Sequence, residues 1–205
     1  IPVAKAWATD MGVEVASLGI QIHGGMGFVE ETGAAQHYRD ARIAPIYEGT
    51  NGIQAIDLVG RKLARDGGQA MGELIEDIRQ TVEDLETSSN PDLPVLAERL
   101  KPACDALETA SAWVLAAGEQ DRLAAATPFL KLAGDVTGGW LLCVGAVAAQ
   151  RMLKEGADAA YARSRLALAR IYADTALSGA PGLLGDIQLG AAPLFEPGEA
   201  MLESA

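Results

Sequence analysis

A single acid, Glu48, stands between an apolar run, Ile43-Ala44-Pro45-Ile46-Tyr47, and a Gly49-Thr50-Asn51 turn. Three readings are open: a solvated turn residue, a charge at a helix terminus, or a catalytic base held out of water. In apolar company a carboxylate loses solvation of its charged form, which raises its proton affinity and suits it to accept a proton near neutral pH. A second cluster is the run Gln21 to Phe28, QIHGGMGF. Its glycines would let backbone approach a ligand and leave amides free for a diphosphate, or they simply stop a helix. The run lacks the full G-x-G-x-x-G pattern and no strand precedes it, so a Rossmann reading fails. His23 and His37 lack the i, i+4 spacing of a helical metal pair; His23, in the glycine turn, is a candidate ligand contact. Arg39, Asp40 and Arg42 read as a salt-bridged face. Cys104 and Cys143 each sit in an apolar helical pattern and read as core thiols of a reducing cytoplasm. No Ser-His-Asp or Cys-His arrangement is present.

The elements that must position these groups are helical. Ala4, Trp7, Met11, Val15, Leu18 and Ile22 recur at spacings of three and four, which predicts one buried stripe of an amphipathic helix ending at Gly24-Gly25. A short helix is expected before Pro45, which biases Ala44 away from helix, so residues 44–50 should be extended or turn-like. Ile53, Ile56, Val59 and Leu63 restart a helix that Thr50 or Asn51 can cap. Residues 64–70 then look like a boundary. Beyond it the stripes Leu74/Ile78/Val82/Leu85, Leu100/Cys104/Leu107/Val114 and Leu132/Val136/Trp140/Val144/Val147 predict long helices. Pro128 should start or kink the third, and Gly138-Gly139 should let a neighbour approach it closely. A last helix over roughly 157–178 precedes a tail rich in Gly and Pro. The whole reads as an all-α protein, an antiparallel helical bundle.

Composition agrees, with 49% hydrophobic but only 5% aromatic residues and many Ala and Leu. The net charge of −12 argues against nucleic acid as a partner. Residues 1–69 are nearly neutral, with 6 basic and 8 acidic side chains, whereas residues 70–205 carry 10 and 20. A nucleotide cofactor would meet less repulsion in the first third. No apolar run is expected to reach the length of a membrane span, "WLLCVGAVAA" being half of one. The amino terminus shows no signal peptide and no initiator Met, and opens directly into a helical pattern, which suggests a piece of a longer chain.

Read together, QIHGGMGF, YRDARI and IYEGTNGIQ resemble, in order and spacing, the carboxyl-terminal helical domain of acyl-CoA dehydrogenases, over roughly residues 3–63. The resemblance implies an FAD-dependent enzyme that removes a proton and a hydride from the Cα and Cβ of an acyl-CoA thioester. It implies that Glu48 takes the α-proton and that its backbone amide polarises the thioester carbonyl. Tyr47 and Gly49 match substrate-contacting positions. Gln21, Gly24 and Gly25 match contacts to the adenosine diphosphate half of FAD, commonly that of a neighbouring subunit, and Thr50, Asn51 and Gly52 match further flavin contacts. Gly52 departs from the Gln or Glu that many members carry there. The resemblance further implies an electron-transfer flavoprotein as partner and a homo-oligomer; an acyl-CoA oxidase and a non-catalytic helical oligomerisation module are the alternatives. The family's upstream helical and β domains are missing, so the polypeptide is expected to be inactive alone.

Residues 67–205 resemble the added acidic helical domain of the larger members, some of which act on 3-methylthiopropanoyl-CoA. Residues 1–66 then form part of the catalytic-glutamate domain. A packing and assembly role is expected for the extension, because its apolar stripes exceed what one bundle of this length must bury.

Overall fold

The computed structural model describes residues 1–195, and all regular structure among them is helical. The first third holds α1 (Pro2–His23), a single turn α2 (Gly25–Phe28), α3 (Ala34–Ala41) and α4 (Asn51–Asp57), which runs on through a π-helical turn, Leu58–Lys62. The long helices follow: α5 (Gln69–Glu86), α6 (Asp92–Ala116), the short α7 (Glu119–Ala124), α8 (Ala126–Lys154) and α9 (Ala159–Tyr172), the last continued by a second π-helical turn, Ala173–Leu177. Short connections leave consecutive long helices antiparallel, as in other bundles.

The expected stripe of α6 is buried completely: Leu100, Cys104, Leu107 and Val114 all have no solvent exposure. In α5 the buried line is Ile75, Ile78, Thr81, Val82 and Leu85, with Leu74 at its margin. Pro128 lies in the first turn of α8, where its missing N–H costs no helical hydrogen bond. The turn-rich Thr87–Pro91 stretch separates α5 from α6 as its composition demands.

Four expectations need correction. The α1 stripe is not buried as a whole. Trp7 and Met11 are half-buried, and Ala4, Val15, Leu18 and Ile22 are exposed; the fully buried residues of α1, Pro2 and Ala6, lie outside the stripe. Along α4 and its π-helical continuation the inward residues are Ala55, Leu58, Val59 and Leu63, while Ile53 and Ile56 are exposed. The Gly- and Pro-rich stretch after residue 178 is mostly helical over its described residues, 179–195, with a 3-10 turn (Ala180–Gly182), α10 (Leu183–Gln188) and α11 (Ala192–Phe195); α10 inserts Ile187 fully into the core. Finally, α8 is long and apolar enough to cross a membrane, with a mean hydropathy of 1.5 over its best 18-residue window; half of that window is buried inside the protein. It packs against α1, α4, α5, α6, α9 and α10, which is why it is apolar almost all round.

One hydrophobic cluster runs through the molecule, from Ala6, Ala55 and Val59 to Phe129, Val136 and Ile187. Among the contacts that join the first third to the bundle is Trp7. Its ring lies in a notch on α8 made by Gly134 and Gly138. A Cβ added to Gly134 would stand 2.1 Å from Trp7 Cδ1, and one added to Gly138 would stand 3.1 Å from Trp7 Cη2. The indole Nε1 donates to Asp135 Oδ1 at 2.8 Å, Lys131 Nζ donates to Asp135 Oδ2 at 2.6 Å, and the Tyr172 hydroxyl donates to the Asp135 carbonyl at 3.1 Å. Gly139 receives Leu177 in the same manner. The close approach expected of Gly138-Gly139 is realised.

Candidate active site

Glu48 lies in the irregular segment between α3 and α4. Residues 42–47 form successive turns, closed by amide donations such as Ile46 N and Tyr47 N to the Ile43 carbonyl, both at 3.0 Å. The Asn51 amide donates to the Pro45 carbonyl at 3.0 Å and ties the two ends of the loop. At its apex Glu48 has φ 55° and Gly49 has φ 85°. Glu48 is the one non-glycine residue with positive φ among those described. For an L-residue with a Cβ this conformation costs roughly 1–2 kcal/mol, and such outliers cluster at functional sites. A Cβ on Gly49 would also come within 3.2 Å of Gln54 Nε2.

The expected apolar wrapping of Glu48 is absent. Glu48 is exposed, and Ile43, Ile46 and Tyr47 beside it are themselves about half exposed. They form an uncovered apolar face around the acid. The Glu48 N–H makes no backbone hydrogen bond among the described residues, so it is free to donate outward.

Two elements hold the loop. On the carboxyl side Thr50 caps α4, its Oγ1 accepting the Ile53 amide at 3.4 Å. From α1, Lys5 Nζ donates to the Gly49 carbonyl at 2.8 Å and to Asn51 Oδ1 at 2.9 Å. Asn51 Nδ2 in turn reaches the Ala6 carbonyl, Thr9 Oγ1 and Asp10 Oδ1 at 3.0, 2.9 and 2.7 Å. Asn51 is thus a bridge to α1, a role its sequence position beside the helix start does not reveal. A hydrogen bond to a charged group contributes about 1.5–3 kcal/mol, the same size as the strain at Glu48. Asn51 and Gly52 also line a groove of about 180 Å³ between α1, α4 and α8, together with Trp7, Asp10 and Lys131.

The other sequence-derived residues lie at the far end of α1. Gln21, Gly24 and Gly25 are exposed together on one turn, where Gly24 has φ 60° and nothing stands within 4 Å of a Cβ built on Gly24 or Gly25. Backbone there is open to a ligand. From Lys5 to Gln21 α1 rises by about 24 Å at 1.5 Å per residue, so the structure brings Tyr47 to Gly52 together and holds Gln21, Gly24 and Gly25 apart from them. His23 Nδ1 sits 2.8 Å from the Gly19 carbonyl, and His23 and His37 line one shallow groove. No group of three metal-ligating side chains occurs among the described residues. Arg39 pairs with Glu30, through both guanidinium nitrogens at 2.9 and 2.7 Å, and not with the neighbouring Asp40. Both cysteines are free and buried, and burial pushes Cys104 up to about 11 and Cys143 up to about 12.

Comparison with known proteins bears on this arrangement. Residues 1–64 match the family described as "Acyl-CoA dehydrogenase, C-terminal domain", and residues 74–197 match "Acetyl-CoA dehydrogenase C-terminal like". A 3-methylmercaptopropionyl-CoA dehydrogenase of Ruegeria pomeroyi is 46% identical over 180 residues, covering 86% of this chain and 30% of that protein. A butyryl-CoA dehydrogenase of Syntrophomonas wolfei is 28% identical over 175 residues, covering 83% of this chain and 29% of its own length. The human mitochondrial short-chain specific acyl-CoA dehydrogenase is 48% identical over 61 residues, 30% of this chain and 15% of that one. The fold is also similar to that of an acyl-CoA dehydrogenase from Bacillus anthracis, crystallised with FAD, at a TM-score of 0.65 and 16% identity, over 91% of this chain and 32% of that one. The chain spans about a third or less of the length of the curated relatives it matches. Its two family matches follow one another along the sequence and between them take in both the Glu48 loop and the bundle: the chain belongs to the acyl-CoA dehydrogenase family.

Proposed function

We propose that this chain supplies the catalytic base and part of the flavin site of an FAD-dependent acyl-CoA dehydrogenase, which converts an acyl-CoA thioester to the trans-2-enoyl-CoA. The observation that carries this reading is the left-handed Glu48–Gly49 turn. It projects a carboxylate and an unpaired N–H from one loop apex, ringed by uncovered apolar side chains.

The Glu48 carboxylate accepts the α-proton of the thioester. As that proton leaves, negative charge develops on the thioester carbonyl oxygen, and the Glu48 N–H donates to it, an oxyanion-type stabilisation. Tyr47 and Gly49 flank the acyl-CoA, where the absence of a side chain at Gly49 leaves room. Bound FAD supplies the acceptor for the hydride from Cβ. The open turn at Gln21, Gly24 and Gly25 fits its diphosphate half, because exposed backbone without Cβ atoms lets phosphate oxygens approach. Thr50, Asn51 and Gly52 serve the flavin through the backbone at the start of α4, since the Thr50 and Asn51 side chains are already bonded within the protein. The distance along α1 between these two groups supports contacts to FAD molecules of different subunits, hence a homo-oligomer.

Residues 1–66 and 67–205 are proposed as two parts meeting at the Gly67-Gly68 turn, the second being a packing and assembly element. The 46% identity to a 3-methylmercaptopropionyl-CoA dehydrogenase supports a short thioester of that class as substrate; an electron-transfer flavoprotein is proposed as the electron acceptor from the family resemblance. Two buried free thiols suit a reducing cytoplasm. The uncovered apolar face around Glu48 needs further protein to exclude water, so the 205-residue polypeptide is inactive alone. Assay of the purified chain and of the intact parent with short acyl-CoAs tests this: turnover by the parent only is expected, and turnover by the chain alone overturns the inactivity.

A further inference from the structure

We propose that Lys5 is a positioning residue for the proton-abstracting loop, an inference that rests on the reading of Glu48 as the base. Lys5 is the only side chain from another element bonded to the carbonyl of Gly49, at 2.8 Å, among the described residues, and its ammonium also holds Asn51 Oδ1 at 2.9 Å. It therefore grips the loop on both sides of Thr50, immediately after the strained Glu48. The Glu48 backbone has no local reason to stay left-handed, since Glu lacks both the freedom of glycine and the short side chain that lets Asn or Asp favour that region. A fixed carbonyl at Gly49 sets the orientation of the Gly49–Thr50 peptide, which closes the left-handed Glu48–Gly49 turn on its carboxyl side and so restrains the direction of the Glu48 carboxylate and N–H.

The anchor itself is rigid. Lys5 lies one turn into α1, and its own carbonyl accepts the Thr9 hydroxyl at 2.7 Å, while Thr9 accepts Asn51 Nδ2 at 2.9 Å. Two residues further along α1, Trp7 is locked into α8 by Asp135. The loop is thus referenced to the bundle through a span of three residues of one helix. The seat of Lys5 is half-buried, so its charge is not simply a solvated surface charge.

The test uses the intact parent flavoprotein carrying Lys5→Met, Lys5→Arg or Glu48→Gln. Lys5→Met keeps the chain length and removes the donor. The expected result is a fall in kcat of about ten- to a hundred-fold per bound flavin, the size that a displacement near 1 Å produces, with KM within about twofold and partial recovery in Lys5→Arg. Independently of turnover, hydrogen exchange of a peptide covering residues 44–52 should be faster in Lys5→Met, with exchange in α6 and α8 unchanged. Wild-type kcat per flavin and unchanged exchange in Lys5→Met, while Glu48→Gln is inactive, would overturn the Lys5 role alone. A reduced flavin content with unchanged kcat per flavin would do the same, since it indicates a merely structural residue. Full activity of Glu48→Gln would overturn both readings.

Discussion

The indole of Trp7 donates to the buried carboxylate of Asp135 at 2.8 Å, which fastens α1 to the middle of α8 across 128 positions of sequence. Two residues earlier on the same helix, Lys5 fastens α1 to the Glu48 loop. The acidic extension and the candidate base therefore share one strut. Asp135→Ala leaves the indole N–H without its acceptor, and an unsatisfied buried donor costs about 1–3 kcal/mol. Urea unfolding of the chain should show a loss of that size, with Trp7→Phe producing a comparable one. If both substitutions leave the midpoint and slope unchanged, the strut is not a stabilising join.

Gly134 is where the strut has least tolerance. A methyl group there would overlap Trp7 at 2.1 Å from Cδ1 and 2.8 Å from Cβ, so the indole must leave its notch. Overpacking of this kind costs typically about 1–3 kcal/mol. Gly134→Ala should lower stability by at least that amount and red-shift the Trp emission, whereas Gly72→Ala on the open side of α5 should not destabilise. Equal stability of the two variants would contradict the packing.

Gly49→Ala tests the loop from its other residue. The position has φ 85°, and the added Cβ would press on Gln54 Nε2 at 3.2 Å. A left-handed alanine costs roughly 1–2 kcal/mol, so the loop should shift, lowering kcat/KM of the parent enzyme by tenfold or more with little change in melting temperature. Unaltered kcat/KM would show that the turn geometry does not matter to the reaction.

The thiols set an alkaline limit. Burial raises Cys104 to about 11 and Cys143 to about 12, while an unfolded thiol ionises near about 8.5. Between those values the unfolded state binds fewer protons than the folded state, so stability is intact below about pH 8.5 and falls as pH rises toward the folded values. Tyr172, raised by burial and by Asp135, adds to the fall above its ordinary range. In the opposite direction, Asp174 is held below the usual carboxylate range by Arg170 and Arg99, so its contribution is present at neutral pH and lost on acidification. Melting curves should decline steadily above pH 8.5, and both cysteines should resist alkylation at pH 8 until urea is added. A flat profile to pH 11 would contradict the burial.

How much of this was legible in the sequence depends on range. The α6 stripe could be read because every fourth or third residue is apolar and all of it meets other helices. The α1 stripe misled because periodicity reports which residues share a face, not whether the molecule covers that face along its whole length. The residues of the Glu48 loop could be singled out by their types, and Gly49 does what glycine signals. The left-handed Glu48 could not, since glutamate carries no such preference. Lys5, Thr9 and Asn51 are joined across more than 40 positions, and a lysine on a mixed helix gives no hint of its partner. The Trp7 notch was half visible: the Gly138-Gly139 pair announced a close approach, but not which side chain would make it.

The most direct test of the account is an anaerobic titration of the intact parent flavoprotein with short acyl-CoAs, including 3-methylthiopropanoyl-CoA, beside its Glu48→Gln variant. The account predicts that the visible flavin band bleaches in the wild type and stays unbleached in Glu48→Gln with FAD still bound. Equal bleaching of both proteins would contradict the assignment of Glu48 as the base.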